Sequence, residues 1–226
     1  MLSSLSMKYK SVKYRDITVQ YLPHLDGGGM GFGQEFLQVV KEKFGKVNHV
    51  FEFCSGPGFI GFSLLANKLC NRLTLADINP EAFKACEETI KKNSLQPKVS
   101  LYLSDCLDTI PETEHWDLVV SNPPHWPSHE DAYREDIKMF DPNLSIHEKF
   151  YRDIKKFLKH DGSVLFQENG RATTAEEFIP MIRKNDLQVI DIFTAKPPSI
   201  LQCALQGKKL KYAKPSPYYF IWSKPR

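Results

Sequence analysis

From residue 30 onward, short apolar runs alternate with amphipathic stretches. His49 to Phe53, Arg72 to Ala76, Val99 to Leu103, Asp117 to Ser121, Ser163 to Gln167, Leu187 to Thr194 and Tyr218 to Trp222 read as strands. Helices are predicted over 31–43, Gly58 to Leu69, Pro80 to Lys92 and about His147 to Leu158. Another runs to about Lys184, opened by a Thr174–Glu177 capping box. Strands alternating with helices of this length imply βαβ units and a largely parallel sheet. Asp117-Leu118-Val119-Val120 is apolar on consecutive positions, as in a strand covered on both faces. The expectation is an α/β, doubly wound, mostly parallel, seven-stranded Rossmann-like sheet.

A length of 226 residues fits one domain, because domains usually hold roughly 100–200 residues. We expect residues 1–226 to form a single domain with a basic N-terminal arm (about 1–25) and a basic C-terminal segment (about 196–226). No stretch approaches the ~20 apolar residues of a membrane helix, and Met1 to Lys10 lack an apolar signal core. Five cysteines without a C-x-x-C pair argue against a disulfide framework and fit a reducing cytoplasm. His125 and His129 are four apart, but Pro127 lies between them, so no helical metal pair and no metal site is expected.

The net charge of +3 conceals a split: four basic residues and one acid in 1–25, seven basic residues and no acid in 196–226, and an acidic body between them. In the last segment Lys208, Lys209, Lys211 and Lys214 surround Tyr212 and precede Tyr218 and Tyr219. Basic groups can track a nucleic-acid backbone while aromatics stack on bases. Glu130, Asp131, Glu135, Asp136 and Asp141 instead make one long loop acidic, which favours a cationic acceptor.

Gly56-Pro57-Gly58-Phe59-Ile60-Gly61 is a G-x-G-x-x-G that follows a strand and opens a helix, where glycines let a ligand approach the backbone. Glu52 precedes it on the strand. A carboxylate there opposes a pyrophosphate, which argues against a dinucleotide, and suits a ligand with an ammonium group. Asp77 ends the next strand, where an acid can accept both hydroxyls of a ribose. Asp105 follows the third strand, where an acid can accept from an exocyclic amine such as that of adenine.

Glu52-Phe53-Cys54-Ser55-Gly56-Pro57-Gly58, Asp77, Asp105 and Asn122-Pro123-Pro124-His125 resemble the successive motifs of the class I S-adenosylmethionine-dependent methyltransferases. The resemblance covers roughly residues 30–195 and implies an antiparallel last strand in the sheet. It implies S-adenosylmethionine as cofactor. Glu52, Cys54, Ser55, Gly56 and Gly58 would surround the methionine end, Asp77 the ribose, Ile78 the adenine face, and Asp105 with Cys106 the adenine amine. Asn-Pro-Pro followed by an aromatic marks the amino-methyltransferases acting on adenine, cytosine or the glutamine amide.

The paired prolines fix φ and remove two donors, so the chain after Asn122 is rigid. A rigid Asn carboxamide and a free carbonyl can accept both hydrogens of a planar –NH2 group and leave its lone pair to face a methyl group. Asn122, Pro123 and His125 are therefore the candidate catalytic residues, with Asn122 also touching the cofactor and Pro124 and Trp126 binding substrate. His125 departs from the commoner Tyr or Phe. An imidazole can stack on the acceptor or act as a base, so the acceptor stays open. An RNA base or a protein glutamine fits the Asn-Pro-Pro segment. A small amine, amino acid or peptide fits His125 and the acidic loop. A non-catalytic cofactor-binding subunit is the alternative of another class. Glu168 is a further possible contact, and Gly33 and Gln34 are expected over the cofactor.

Overall fold

The computed structural model describes residues 8–128, 134, 136–195 and 216–226. Within the expected arm lies a hairpin, β1 (Lys10–Tyr14) and β2 (Ile17–Tyr21), paired in antiparallel register across Arg15-Asp16. Ile17 and Val19 are buried, so β2 is packed into the fold. Gln20 N–H donates to Thr89 Oγ1 and Thr18 N–H to Asn93 Oδ1, pinning it to α3 (Pro80–Lys92). Lys8, Lys10, Lys13 and Arg15 give this segment its basic character, while the alternating Ile17 and Val19 dock it.

The other strands and α-helices among the described residues are α1 (Glu35–Lys43), β3 (His49–Phe53), α2 (Phe59–Ala66), β4 (Arg72–Asp77), β5 (Val99–Leu103), β6 (Trp116–Ser121), α4 (Ser145–Asp153), β7 (Leu158–Asn169), α5 (Ala175–Lys184), β8 (Leu187–Phe193) and β9 (Tyr218–Pro225). Seven strands form one sheet in the order β5-β4-β3-β6-β7-β9-β8. β9 runs antiparallel to both of its neighbours, and the pairings among β5, β4, β3, β6 and β7 are parallel. The predicted strands are all present. The helix expected to reach Leu158 instead ends at Asp153 and tightens into a 3₁₀ turn, Ile154–Phe157.

Successive residues of the central strands serve different cores. Val50, Leu118, Val120, Leu165 and Phe220 pack with α1, α2 and α3 on one face. Phe51, Val119, Val164, Phe166 and Ile221 pack with α4 and α5 on the other. This is the two-sided burial that the unbroken apolar run predicted. Among the described residues no helix is long and apolar enough to cross a membrane.

The chain leaves β3 for β4 and β5 on one side, then returns to build β6 and β7 on the other, so a crevice opens beyond the carboxyl ends of β3 and β6. Ser121 Oγ donates to Phe53 O at 2.6 Å and ties the two strand ends together. Close packing of α2 on β4 sets the crevice wall. A Cβ at Gly61 would stand 2.6 Å from Leu73 Cδ1 and 2.7 Å from Glu52 Oε2. Gly61→Ala would gain about 1 kcal/mol in helix propensity but meet an overpacking cost of roughly 1–3 kcal/mol. We expect a lower urea midpoint with an unchanged m-value, measured by equilibrium denaturation.

Candidate functional site

The crevice is an open cleft of about 890 Å³. Its floor is the loop after β3. Cys54 and Gly56 both take φ of 50°, and Gly58 takes 77°. Gly58 N–H donates to Ser55 O at 2.8 Å, closing the turn directly ahead of α2. A Cβ at Gly58 would lie 2.8 Å from Phe62, so the positive φ and the close approach both require glycine.

Glu52 is buried at the cleft base, with its carboxyl turned to the start of α2. Gly61 N–H donates to Oε2 at 2.7 Å and Ile60 N–H to Oε1 at 3.3 Å. Burial pushes the Glu52 carboxyl up to about 8, with nearby Asp77 adding to the rise and the two backbone donors opposing it. Asp77 accepts from Gly56 N–H at 2.7 Å and Asn79 N–H at 2.8 Å, joining the β3 and β4 loops. Its carboxyl is also raised by burial, against the pull of those donors. A carboxylate has about four lone-pair sites, so Asp77 keeps capacity for a ligand. Buried Glu52 and half-buried Asp77, both held by backbone donors, make a cleft base that favours a cation.

The adenine-side candidates also line the cleft. Ile78 is 45% exposed there, an apolar surface at a strand end. Asp105 is held by Lys149 Nζ at 2.7 Å, which also reaches Asp108 at 2.7 Å. Cys106 is buried with φ of 51°. Cys54, Ser55, Gly56, Asn122 and Pro124 complete the expected lining, whereas Gly58, Pro123, His125 and Trp126 stand outside it. Leu25, Gly27, Gly29, Ile137, Lys138 and Ile146 line it too and were not anticipated. Asp26 Oδ1 accepts from Gly28 N–H and Met30 N–H, which folds the glycine segment toward the cleft. An Asp directly ahead of three glycines was the available signal. Gly33 and Gln34 do not line the cleft. Gly33 packs on Ile60, and Gln34 Nε2 donates to Gly29 O and Phe59 O.

Asn122 stands at the end of β6 with its carboxamide held on both sides. Nδ2 donates to Gly27 O at 3.4 Å, and Oδ1 lies 2.9 Å from His125 Nε2. His125 is buried, and its Nδ1 is 3.1 Å from Glu168 Oε2. The ring therefore faces inward with both nitrogens engaged, and does not offer itself to stack on an acceptor. Trp126 is 37% exposed. The segment is clamped because His125 N–H and Trp126 N–H both donate to Met139 O, and Asp141 N–H donates to Trp126 O.

Behind His125 the network continues. His147 Nε2 lies 3.0 Å from Glu168 Oε1, and His147 Nδ1 lies 2.5 Å from Asp141 Oδ2. Asp141, His147 and Glu168 are fully buried. Burial works against charge on His147, but the carboxylates of Glu168 and Asp141 outweigh it and push the imidazole up to about 10. Burial works against charge on Glu168 as well, yet the His147 cation and the hydrogen bonds from both histidines hold it below the usual carboxylate range. Asp141 does not stand with the acids expected over the acceptor. It is instead an internal ligand for His147 and for the Ile146 and His147 N–H groups. The acids Glu130, Asp131 and Glu135, and the Lys208, Lys209, Lys211, Lys214 and Tyr212 cluster, lie outside the described residues. Among the described residues no group of three or more His, Cys, Asp or Glu side chains is arranged to hold a metal ion.

The model of the methyltransferase small domain matches residues 30–178. The chain belongs to this family. A release factor glutamine methyltransferase of Leptospira interrogans is 33% identical over 132 residues, covering 55% of this chain and 43% of that protein. A ribosomal RNA small subunit methyltransferase C of Actinobacillus pleuropneumoniae is 31% identical over 136 residues, covering 56% of this chain and 38% of that protein. The chain thus spans about half or less of the length of these curated relatives. The solved 16S rRNA N2 G1207 methyltransferase of T. thermophilus, in complex with AdoMet and guanosine, superposes with a TM-score of 0.65 at 14% identity, over 97% of this chain and 50% of that one. At that identity the likeness establishes the Rossmann-like fold.

Two expectations test the electrostatics. His147→Leu leaves Asp141 and Glu168 buried beside each other's field without their cation. We expect a loss of about 3–5 kcal/mol in chemical denaturation at neutral pH, shrinking in acid as the carboxylates take up protons. Glu52 has a raised folded value, so its contribution is fully present below the ordinary Glu range and lost as pH rises through about 8. Wild type should therefore lose melting temperature relative to Glu52→Gln between pH 5 and pH 8.5. A difference that stays constant across that window would overturn the assignment.

Proposed function

We propose that this chain is an S-adenosylmethionine-dependent N-methyltransferase acting on a planar amino or amide nitrogen of a macromolecule, an RNA base or a protein glutamine, and that residues 1–226 work as a single methyltransferase domain. The observation that carries this reading is Asn122, held rigidly at one wall of a cleft whose base carries the acids Glu52 and Asp77. Family membership and the two curated relatives, one named a release factor glutamine methyltransferase and the other a ribosomal RNA small subunit methyltransferase, support it.

The residues present fit the cofactor. The positive-φ turn at Gly56 and Gly58 lets a ligand lie against backbone, and the raised Glu52 and Asp77 are acids that a cationic ligand would relieve. In this reading Glu52 with Cys54, Ser55 and Gly56 serves the methionine end, Asp77 the ribose, and Ile78, Asp105 and Cys106 the adenine. When bound, S-adenosylmethionine supplies an electrophilic methyl group. The protein's part is to orient the acceptor: the Asn122 carboxamide accepts from the target N–H and keeps the lone pair directed into the cleft, and Pro123 and Pro124 hold the backbone that carries it. A neutral planar amine or amide has no proton to lose before attack, and the one it sheds after methyl transfer passes to water, so no free base at His125 is required, in keeping with a ring whose nitrogens are both engaged.

Calorimetry should show one S-adenosylmethionine bound per chain, and labelled cofactor incubated with a fractionated lysate should place label in RNA or protein. Asn122→Ala should lower transfer by about 10²-fold or more while cofactor affinity stays within about threefold. Absence of cofactor binding by wild type would sink the proposal, and label confined to small molecules would reassign the acceptor.

A further inference from the structure

The position that follows Asn-Pro-Pro holds a histidine, and that histidine has a dedicated buried partner 43 residues later. Glu168 lies near the end of β7, fully buried, with one oxygen toward His147 and the other toward His125. Each donor in the chain has an assigned acceptor. Asp141 and Glu168 accept the two N–H groups of the His147 imidazolium. Glu168 Oε2 also faces His125 Nδ1, which fixes the proton there and leaves Nε2 pointing at Asn122. Nε2 faces the carboxamide oxygen, so an N–H there donates to Oδ1 and leaves Nδ2 turned to Gly27 O. A ring without nitrogens at position 125 could make no such bond.

We propose that Glu168 is a positioning residue for the acceptor end of the site, holding the His125 ring so that His125 fixes the orientation of the Asn122 carboxamide. Asp141 and His147 anchor the other end of this clamp, so the reach of Asn122 into the cleft is set by a chain of four buried side chains anchored on β7 and α4. This deepens the methyltransferase reading and rests on it for the chemical consequence, but the clamp itself is a property of the protein alone. It also gives the replacement of the commoner aromatic at position 125 a purpose other than stacking. The ring that would stack is turned into the fold, with its edge against Tyr218 at 5.4 Å between centroids.

The test uses the full chain, labelled with ¹⁵N, in the variants Glu168→Gln, His125→Phe and the double variant. Circular dichroism and melting curves first establish that each variant is folded. If Glu168→Gln does not fold, His125→Phe, which leaves the Asp141–His147–Glu168 contacts in place, decides the clamp. In wild type we expect a slowly exchanging His125 Nδ1–H signal and a single, sharp pair of Asn122 side-chain amide signals. Glu168→Gln should abolish the first and shift or broaden the second, and His125→Phe should do the same to the second. Calorimetry with S-adenosylmethionine should stay within about twofold in all three. Single-turnover transfer from tritiated S-adenosylmethionine into the lysate RNA and protein fractions should fall about tenfold or more in Glu168→Gln. The same substitution placed on His125→Phe should cost no more than about twofold further, because the two act through one path. Unmoved Asn122 amide signals, or equal losses from Glu168→Gln in both backgrounds, would overturn the proposal. A wild type that binds no S-adenosylmethionine would defeat the functional reading while the nuclear magnetic resonance result still decides the clamp.

Discussion

β3 and β6 lie side by side although two strands and two helices separate them in the chain, and the site depends on that pairing. The register sets Glu52 opposite Val120, so the acid in β3 and the carboxamide two residues beyond Val120 face one crevice. Had β6 joined the sheet beyond β5, Asn122 would stand three strands away from the glycine turn. The bond from Ser121 to Phe53 O ties the two strands together just beyond their last paired residues. Burial on both faces holds the pairing. Phe51 and Val119 serve one core while Val50, Leu118 and Val120 serve the other, so a one-residue slip would exchange every side chain between two differently shaped interiors.

How much of this was legible in the sequence follows from the range of each interaction. The strands and most helices were readable because their signals are local: apolar runs, a proline at Pro80, a turn of glycines at Gly56 and Gly58. The cleft-lining acids were readable because a strand end fixes where the next residues go. Pairings between distant segments left no such trace. That β2 docks on α3 depends on Thr89 and Asn93 meeting Gln20 and Thr18 some seventy residues away. His147 reads as the opening of an amphipathic helix, and Asp141 as one more acid in a polar loop. Only the fold brings them to Glu168.

The inward turn of His125 changes the meaning of the Asn-Pro-Pro segment. Its two prolines supply no N–H, so the backbone beyond Asn122 cannot be anchored through a donor at those positions. The anchoring begins at His125 and Trp126, whose N–H groups share Met139 O, and it continues through the His125 ring into Glu168. Rigidity at Asn122 therefore has two sources of different kind. The prolines restrict the backbone covalently, and the clamp restricts the side chain through hydrogen bonds that exist only in the folded protein.

Glu52 and Glu168 are the same residue type at the same end of the sheet, both buried, and their states are opposite. Among the described residues Glu52 meets backbone amides and a second acid, and burial drives it toward the neutral form. Glu168 meets two imidazoles, one of them strongly favoured as a cation, and stays ionised. A buried carboxylate whose charge is answered internally has no need of a ligand and can serve only to hold its neighbours. One whose charge is unanswered carries an energetic deficit that a cation entering the cleft removes. The two ends of the site are thereby set for different work: the β3 end to gain from a cationic cofactor, and the β6–β7 end to keep one carboxamide in one orientation whatever occupies the cleft.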